Sequence, residues 1–506
     1  MELNQSPPRL NLTLLFFFLL LSSLQATTDT NICIVGSGIA GSSLAHFIKH
    51  FTCTDPQNPN PGSCSWIDDI RIFERRAVPG GRMATVTIAG DTFEAGGSII
   101  HPKNFHALRF ASMLNLSHSP ESDEESDSWF GIWDGSRFVF KTLQPPPSWS
   151  SFVVKKIYSL LNSLLLFRRY GFSLIRMNGF VQGMLDRFLL YYKGFEARPV
   201  FETVDEMLKW SGLYDLTRRT LGEELIDAGL SSHLISELVT VVTRINYGQS
   251  VSISGLAGAV SLAGSDSGLW SVDGGNWKLA AGLINYSGAK LHLNEEINSI
   301  SHEGVHYVLN SSKGNSYKCE VTVIATPLDE LSIAFTPSIS LPNRRLHHTY
   351  TTFVRGLLNF EYFGFKHASE IPALIGTLEV PDVPFSSISI LKKYDEEDMT
   401  YKMFSRGPAD DSLLDQLFSV RKETVRIDWP AYPHFKAPEV FAPILLDDRH
   451  LYYINSFENA ASTIETSAVA AENVARLIIS RLEKLASGSP TIKIPASNDE
   501  ILHLDL

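Results

Sequence analysis

An apolar strand that runs straight into three spaced glycines constrains this chain more than any other stretch. Ile32-Cys33-Ile34-Val35 leads into Gly36-Ser37-Gly38-Ile39-Ala40-Gly41, and apolar residues then recur with helical spacing at Ala40, Leu44, Phe47 and Ile48. Strand, Gly-x-Gly-x-x-Gly and helix in that order are the fingerprint of a dinucleotide site at the first turn of a parallel α/β sheet. A pyrophosphate has to meet backbone N–H groups with no side chain in between. Gly36 permits the tight turn, Gly38 lets the phosphates approach the main chain, and Gly41 lets helix and strand pack closely. The helix N-terminus adds unpaired amides and a partial positive charge.

Two later stretches extend that reading. The strand Ile70-Arg71-Ile72-Phe73-Glu74 ends on a carboxylate that can accept hydrogen bonds from a ribose. The usual offset from the first glycine is about 20 residues; here a Pro/Asn/Gly-rich insert from Thr52 to Ser65 lengthens it. Pro79-Gly80-Gly81-Arg82 then offers a second loop for the same phosphates, with a guanidinium as counter-charge. Phe93-Glu94-Ala95-Gly96-Gly97-Ser98-Ile99-Ile100-His101-Pro102 is poor in bulky side chains and suits a position flat against a planar ring.

The chain has 506 residues, enough for an interleaved second domain, and its 44 % hydrophobic and 19 % charged content is that of a globular enzyme. A net charge of −12 without an extended basic tract disfavours broad nucleic-acid binding. No Cys/His spacing suggests a metal site. The apolar run Leu12–Leu21 after Arg9, ending in small residues near Ala26, reads as a secretory signal. The uncleaved alternative is an N-terminal anchor. In an oxidising lumen Cys53 and Cys64 could close the insert as a disulfide, whereas Cys33 and Cys319 read as buried apolar residues of two strands. Asn115, Asn285 and Asn310 each begin a glycosylation sequon.

Residues 151–192 are helical and strongly apolar, with Leu160, Leu161, Leu164, Leu165, Leu166 and Phe167. The stretch reads as the core of a helical subdomain. Its alternatives are a substrate chamber, or a surface resting on a membrane beside Lys155, Lys156, Arg168 and Arg169. Ser119–Ser128 is an acidic surface loop with no assigned chemistry. Val321–Ala325, ended by Thr326-Pro327, reads as a buried strand; 341–406 alternates as a second sheet; and Leu451–Ile454 is followed by a helix bearing Ile464, Ala468, Ala471 and Val474.

Taken in order, the triple-glycine turn, Glu74-Arg75, Gly80-Gly81-Arg82, the Ala-Thr-Pro strand and the C-terminal strand and helix resemble FAD-dependent amine oxidases and desaturases. Glu94–Pro102, Thr243–Gln249 and Ser271–Asn276 narrow the resemblance to the prenylcysteine oxidase family, whose plant members are farnesylcysteine lyases. The resemblance implies an FAD-binding Rossmann-like α/β domain with an interleaved α+β substrate domain. The chain would then divide into a signal peptide (1–26), FAD-binding segments at 27–110, 271–330 and 441–490, and substrate segments at 111–270 (mainly helical) and 331–440 (sheet).

It also implies a lumenal flavoprotein of lysosome or vacuole that oxidises S-prenylcysteine with molecular oxygen, giving prenyl aldehyde, cysteine and hydrogen peroxide. Gly36, Gly38, Gly41, Glu74, Arg75, Gly81 and Arg82 would hold FAD, with Gly97 and Ser98 near its ring. His101 is the candidate acid or base. Arg244, Asp273 and Asn276 are candidates for the amino-acid end of the substrate. Asn455-Ser456-Phe457-Glu458 departs from the glycine-rich turn common in amine oxidases. A polyamine oxidase and a non-catalytic prenyl-binding escort protein are the rival readings. An amine oxidase would want an acidic, aromatic-lined tunnel, and escort proteins serve cytosolic partners.

Overall fold

The computed structural model describes residues 30–53, 67–119, 129–144, 152–194 and 198–487. The leader, Cys64 and its pairing with Cys53, and residues 120–128 of the acidic run lie outside them. Five parallel strands form the nucleotide-side sheet: β1 (Thr30–Val35), β2 (Ile67–Glu74), β3 (Lys290–Leu293), β4 (Val321–Ile324) and β5 (Leu451–Tyr453), in the spatial order β5-β4-β1-β2-β3. β1 lies at the centre and is buried on both faces, as its unbroken apolar run requires. Ile32 and Ile34 point into the main core, Cys33 and Val35 into a second core on the opposite face.

Six helices matter to the site: α1 (Ile39–Cys53), α2 (Phe105–Met113), α3 (Phe152–Tyr170), α4 (Ser173–Phe188), α5 (Trp277–Ser287) and α6 (Ile464–Ser487). α1 carries fully buried Ser42, Ser43 and Ala45, and α6 carries buried Ala468, Ala471 and Ala475. Such small side chains let the two helices lie close together over the sheet. Glu472 of α6 accepts from His106 Nε2 of α2 and is ion-paired with Arg198, which fixes the helix from the substrate side.

A seven-stranded sheet forms the wall facing the nucleotide half. Its spatial order is 418–433, 346–358, 399–405, 385–393, 374–377, 130–133 and 138–141. All neighbouring strands are antiparallel except 374–377 with 130–133. The alternation expected within 341–406 is therefore a sheet, and two strands from the mainly helical segment extend it. A four-stranded sheet (316–319, 306–311, 297–303, 334–336) covers the far face of β1 and β4.

The cysteine expectation needs correction. Cys33 and Cys319 are fully buried as expected, but they are joined in a disulfide with Cα atoms 5.9 Å apart. Cys33 projects from the face of β1 opposite α1, and Cys319 ends the strand that packs there. Strand periodicity read from each segment alone could not show that the two side chains meet across 286 residues. Such a crosslink constrains the unfolded chain strongly because its loop is long. The Cys33→Ala/Cys319→Ala variant should lose on the order of 2–4 kcal/mol, seen as a lower calorimetric Tm. An unchanged Tm would show that the bond contributes nothing to stability.

Candidate functional site

The turn after β1 and the loop after β2 form one cradle. Gly36 N–H donates to Phe73 O at 2.9 Å, and Gly80 N–H donates to Ser37 O at 3.2 Å, next to a bridge between Gly38 and Gly80. The three glycines are required for different reasons. Gly36 has φ +113°, and a Cβ there would sit 2.5 Å from Ala325 O. At Gly41 a Cβ would strike Gly36 O at 2.0 Å. At Gly38 it would meet nothing closer than 3.8 Å, so packing within the protein does not require glycine there. Glu74 is buried at the end of β2; its carboxylate accepts from Ser37 N–H (3.2 Å), Ser37 Oγ–H (2.5 Å) and Arg76 N–H (2.9 Å). Remaining lone pairs leave room for a ribose hydroxyl.

Arg82 reaches across to the C-terminal turn. Its guanidinium is ion-paired with buried Glu458 and donates to Ala431 O at 2.7 Å. Burial works against ionisation of Glu458, yet Arg82, with hydrogen bonds from Asn455 and Ser462, holds its carboxyl below the ordinary range. Sequence reading noted only that this turn lacks glycines; its acidic residue is what closes the cradle. α6 begins directly after it. Thr463 and Thr466 cap its N-terminus reciprocally, and Thr463, Ile464 and Thr466 line the same cavity as Gly38. A buried acceptor, Asn455 Oδ1, also in that wall, has no protein partner.

These elements enclose one cavity of about 800 Å³, within the range of cofactor and ligand sites. Gly36, Gly38, Glu74, Arg75, Gly81, Arg82, Gly97, Ser98 and His101 all line it; Gly41 packs behind the turn. Beyond Gly97 the walls become apolar, with Met184, Leu185 and Phe188 of α4, Ile245, Val260 and Leu269. The residues fit a dinucleotide at one end and an apolar group at the other.

The other candidates are placed as follows. Lys103 N–H donates to His101 Nδ1 at 3.0 Å, so the ring proton is on Nε2, which faces Asp266 at 3.2 Å. Both ring nitrogens are thus engaged. Arg244 does not reach the cavity: it is buried, with Nη1 on Glu379 (2.6 Å) and Nη2 on Thr377 (2.9 Å). Asp273 also lies off the cavity wall, exposed, its carbonyl accepting from Lys278 Nζ. Asn276 is fully buried and joins three segments. Its Nδ2 donates to Gly97 O (2.9 Å), its Oδ1 accepts from Val272 N–H (2.8 Å), and its own N–H donates to Glu94 Oε1 (2.5 Å). Asn115 and Asn285 are exposed, while Asn310 is half-buried with its amide donating to Ser299 Oγ.

Sequence reading missed Lys402. It stands on strand 399–405, buried against the cavity, with Nζ donating to Glu94 O at 2.9 Å and lying 3.4 Å from Ser98 Oγ. Burial lowers its ammonium to about 8, only partly offset by Glu94. Burial likewise raises Glu94 to about 7, and its Oε2 has no partner among the described residues. In the alternating pattern Thr400-Tyr401-Lys402-Met403 the lysine shares the polar face with Thr400, and only the structure shows that this face too is buried.

Fold and cavity together define an α/β dinucleotide-binding protein of the amine oxidase architecture. The cyclohexylamine oxidase of Brevibacterium oxydans superposes with a TM-score of 0.56 at 17 % identity, covering 90 % of this chain and 100 % of that one. A redesigned putrescine oxidase gives 0.57 at 12 % identity, covering 89 % and 99 %. Residues 34–114 match the NAD(P)-binding Rossmann-like domain and residues 153–488 match the prenylcysteine lyase family. The chain is 60 % identical to a farnesylcysteine lyase of Arabidopsis thaliana, covering 94 % of this chain and 93 % of that protein. To human prenylcysteine oxidase 1 it is 33 % identical, covering 91 % and 90 %. It belongs to the prenylcysteine lyase family.

The glycines separate packing from binding. Gly38→Ala should keep its Tm yet bind flavin about tenfold or more weakly, whereas Gly41→Ala should lose on the order of 3 kcal/mol or more. Calorimetry and flavin titration read both. Full flavin content in Gly38→Ala would mean that the phosphates lie elsewhere.

Proposed function

We propose that this chain is an FAD-dependent thioether oxidase that cleaves S-prenylcysteine, farnesylcysteine first and geranylgeranylcysteine as a second substrate, to prenyl aldehyde and cysteine. The observation that carries the reading is the cavity itself: a glycine cradle with a ribose-binding carboxylate opens into an apolar arm at Met184, Leu185 and Phe188. An escort protein without cofactor would have no need of glycine at position 38. Farnesylcysteine lyase and prenylcysteine oxidase are the names of the relatives that match nearly end to end.

Gly36, Gly38, Gly81 and the start of α1 would hold the pyrophosphate, Glu74 the adenosine ribose, and the N-terminus of α6 with Asn455 the electron-poor end of the ring. FAD held there would supply a two-electron acceptor for the hydride, with molecular oxygen as the final oxidant and hydrogen peroxide as the by-product. The protein's part is to set the prenyl carbon attached to sulfur against it. That carbon is allylic and bears sulfur, so loss of hydride leaves a cation delocalised over both. Water then adds at this carbon and gives up a proton. The Lys402–Glu94 pair holds that proton, since burial brings both groups into the neutral range. Collapse of the hemithioacetal breaks the C–S bond, and the sulfur leaves as the thiol of cysteine. Asn276 holds Gly97 and Glu94 in place for this step.

The internal disulfide supports a lumen of the secretory pathway, within which we place the protein in lysosome or vacuole. Exposed Asn115 and Asn285 would carry glycan there.

Purified protein supplied with farnesylcysteine should release farnesal, cysteine and peroxide in equal amounts; turnover of spermine alone would overturn the substrate assignment. Its rate should rise with pH through about 7 to 8, because below that range both groups are protonated and accept nothing. Lys402→Met should keep bound flavin, lose about 10²-fold or more in kcat, and flatten that rise. An unchanged pH profile would remove Lys402 from the proton path.

A further inference from the structure

Of the apolar helix pair expected to be core, α4 is buried through Val181, Met184, Leu185 and Phe188, whereas α3 leaves most of one apolar face exposed. On α3, Val153, Ile157, Leu160, Leu164 and Phe167 recur at spacings of four and three, and all are exposed, with Leu160 at 63 % and Val153 at 65 %. The row continues past the turn at Gly171 into Phe172, which is 69 % exposed and meets Phe167 edge-on with ring centroids 5.4 Å apart. Leu165 and Leu166 on the other side of α3 pack inward against Phe140 and Val241. The helix is thus apolar on both faces, and only one has a protein partner among the described residues. None of α3 lines the cavity, so its outer face is not the substrate chamber.

Charge on this surface runs against the rest of the molecule. Residues 151–185 contain Lys155, Lys156, Arg168, Arg169 and Arg176 and no Asp or Glu, in a chain of net charge −12. Arg169 is paired with Glu237; Lys155, Lys156 and Arg168 sit at the two ends of α3 beside the apolar row. An apolar strip flanked by cations is the pattern of a helix that lies in the headgroup region of an anionic bilayer. No helix among the described residues is long and apolar enough to span a membrane, so the contact would be monotopic.

We propose that the outer face of α3, with the α3–α4 turn, docks this protein on an anionic lipid surface. The docking face continues into the enzyme. α4 follows α3 directly, and its inner residues Met184, Leu185 and Phe188 form the apolar arm of the cavity. A substrate carrying a prenyl chain partitions into bilayers, and this arrangement sets the cavity beside the lipid that holds it. That consequence rests on the function proposed above; the docking does not.

The test is flotation of the full-length, flavin-loaded protein with phosphatidylcholine vesicles, with and without phosphatidylserine, and no substrate present. Wild type should float, more strongly with phosphatidylserine. Leu160→Glu/Leu164→Glu, at exposed positions, should lower the partition coefficient by about a hundredfold or more and keep its Tm and its rate on detergent-dispersed farnesylcysteine. Lys155→Glu/Arg168→Glu should lose only the phosphatidylserine-dependent part. Wild type that stays at the bottom of the gradient, or a Leu160→Glu/Leu164→Glu variant that floats equally, overturns the proposal. So does a concentration-dependent dimer abolished by those two substitutions without any vesicle binding, which would make the face a contact between copies. Flotation without turnover of farnesylcysteine would leave the docking standing and overturn the substrate reading.

Discussion

Arg82 and Glu458 come from opposite ends of the chain, and their ion pair is the contact through which the nucleotide half becomes a closed site. Arg82 follows the second glycine loop, while Glu458 ends the turn after β5 and precedes α6. Arg82 is only partly buried, but losing it would leave the buried Glu458 carboxylate without its counter-charge. Asn455 and Ser462 both donate to Glu458, so the turn that aims α6 at the cavity is organised around this one carboxylate. In this chain a charge pulls the helix terminus into place.

The same economy appears one layer further in. Asn276 has no exposed surface, yet it fixes Gly97, Val272 and Glu94 at once. Its contact with Glu94 holds one carboxylate oxygen and leaves the other buried and unpartnered. Lys402 enters from the opposite sheet and loses much of its basicity on burial. Two groups that would be ions in water are thereby brought to near-neutral values at the junction of the cradle and the apolar arm, where a reaction that consumes water needs somewhere to put a proton.

Much of the nucleotide half was legible because its signals are local. Strand, turn and helix around Gly36–Gly41 are contiguous, and Glu74 and Gly81 follow within one βαβ unit. Arg244, Asp273 and the cysteines show where local reading stops. Polar residues gathered at Thr243–Gln249 suggested a substrate contact, but Arg244 turns toward Glu379, in the bend after strand 374–377, which no pattern linked to it. Cys33 sits in a strand that reads as apolar, Cys319 ends the short strand Ser316–Cys319, and their bond exists only because two sheets stack. Lys402 escaped notice because a lysine in an alternating strand normally marks the wet face. The apolar run at 152–170 was ambiguous for a related reason: hydrophobicity says that a face avoids water, and tertiary structure decides whether protein or something else covers it.

With the prenyl carbon bonded to sulfur lying against a flavin held by the glycine cradle, anaerobic mixing of the purified, yellow protein with farnesylcysteine should bleach the flavin colour in a single turnover. Deuterium on the carbon attached to sulfur should slow the bleaching. A colour that persists with farnesylcysteine, or bleaching indifferent to deuterium at that carbon, would contradict this placement.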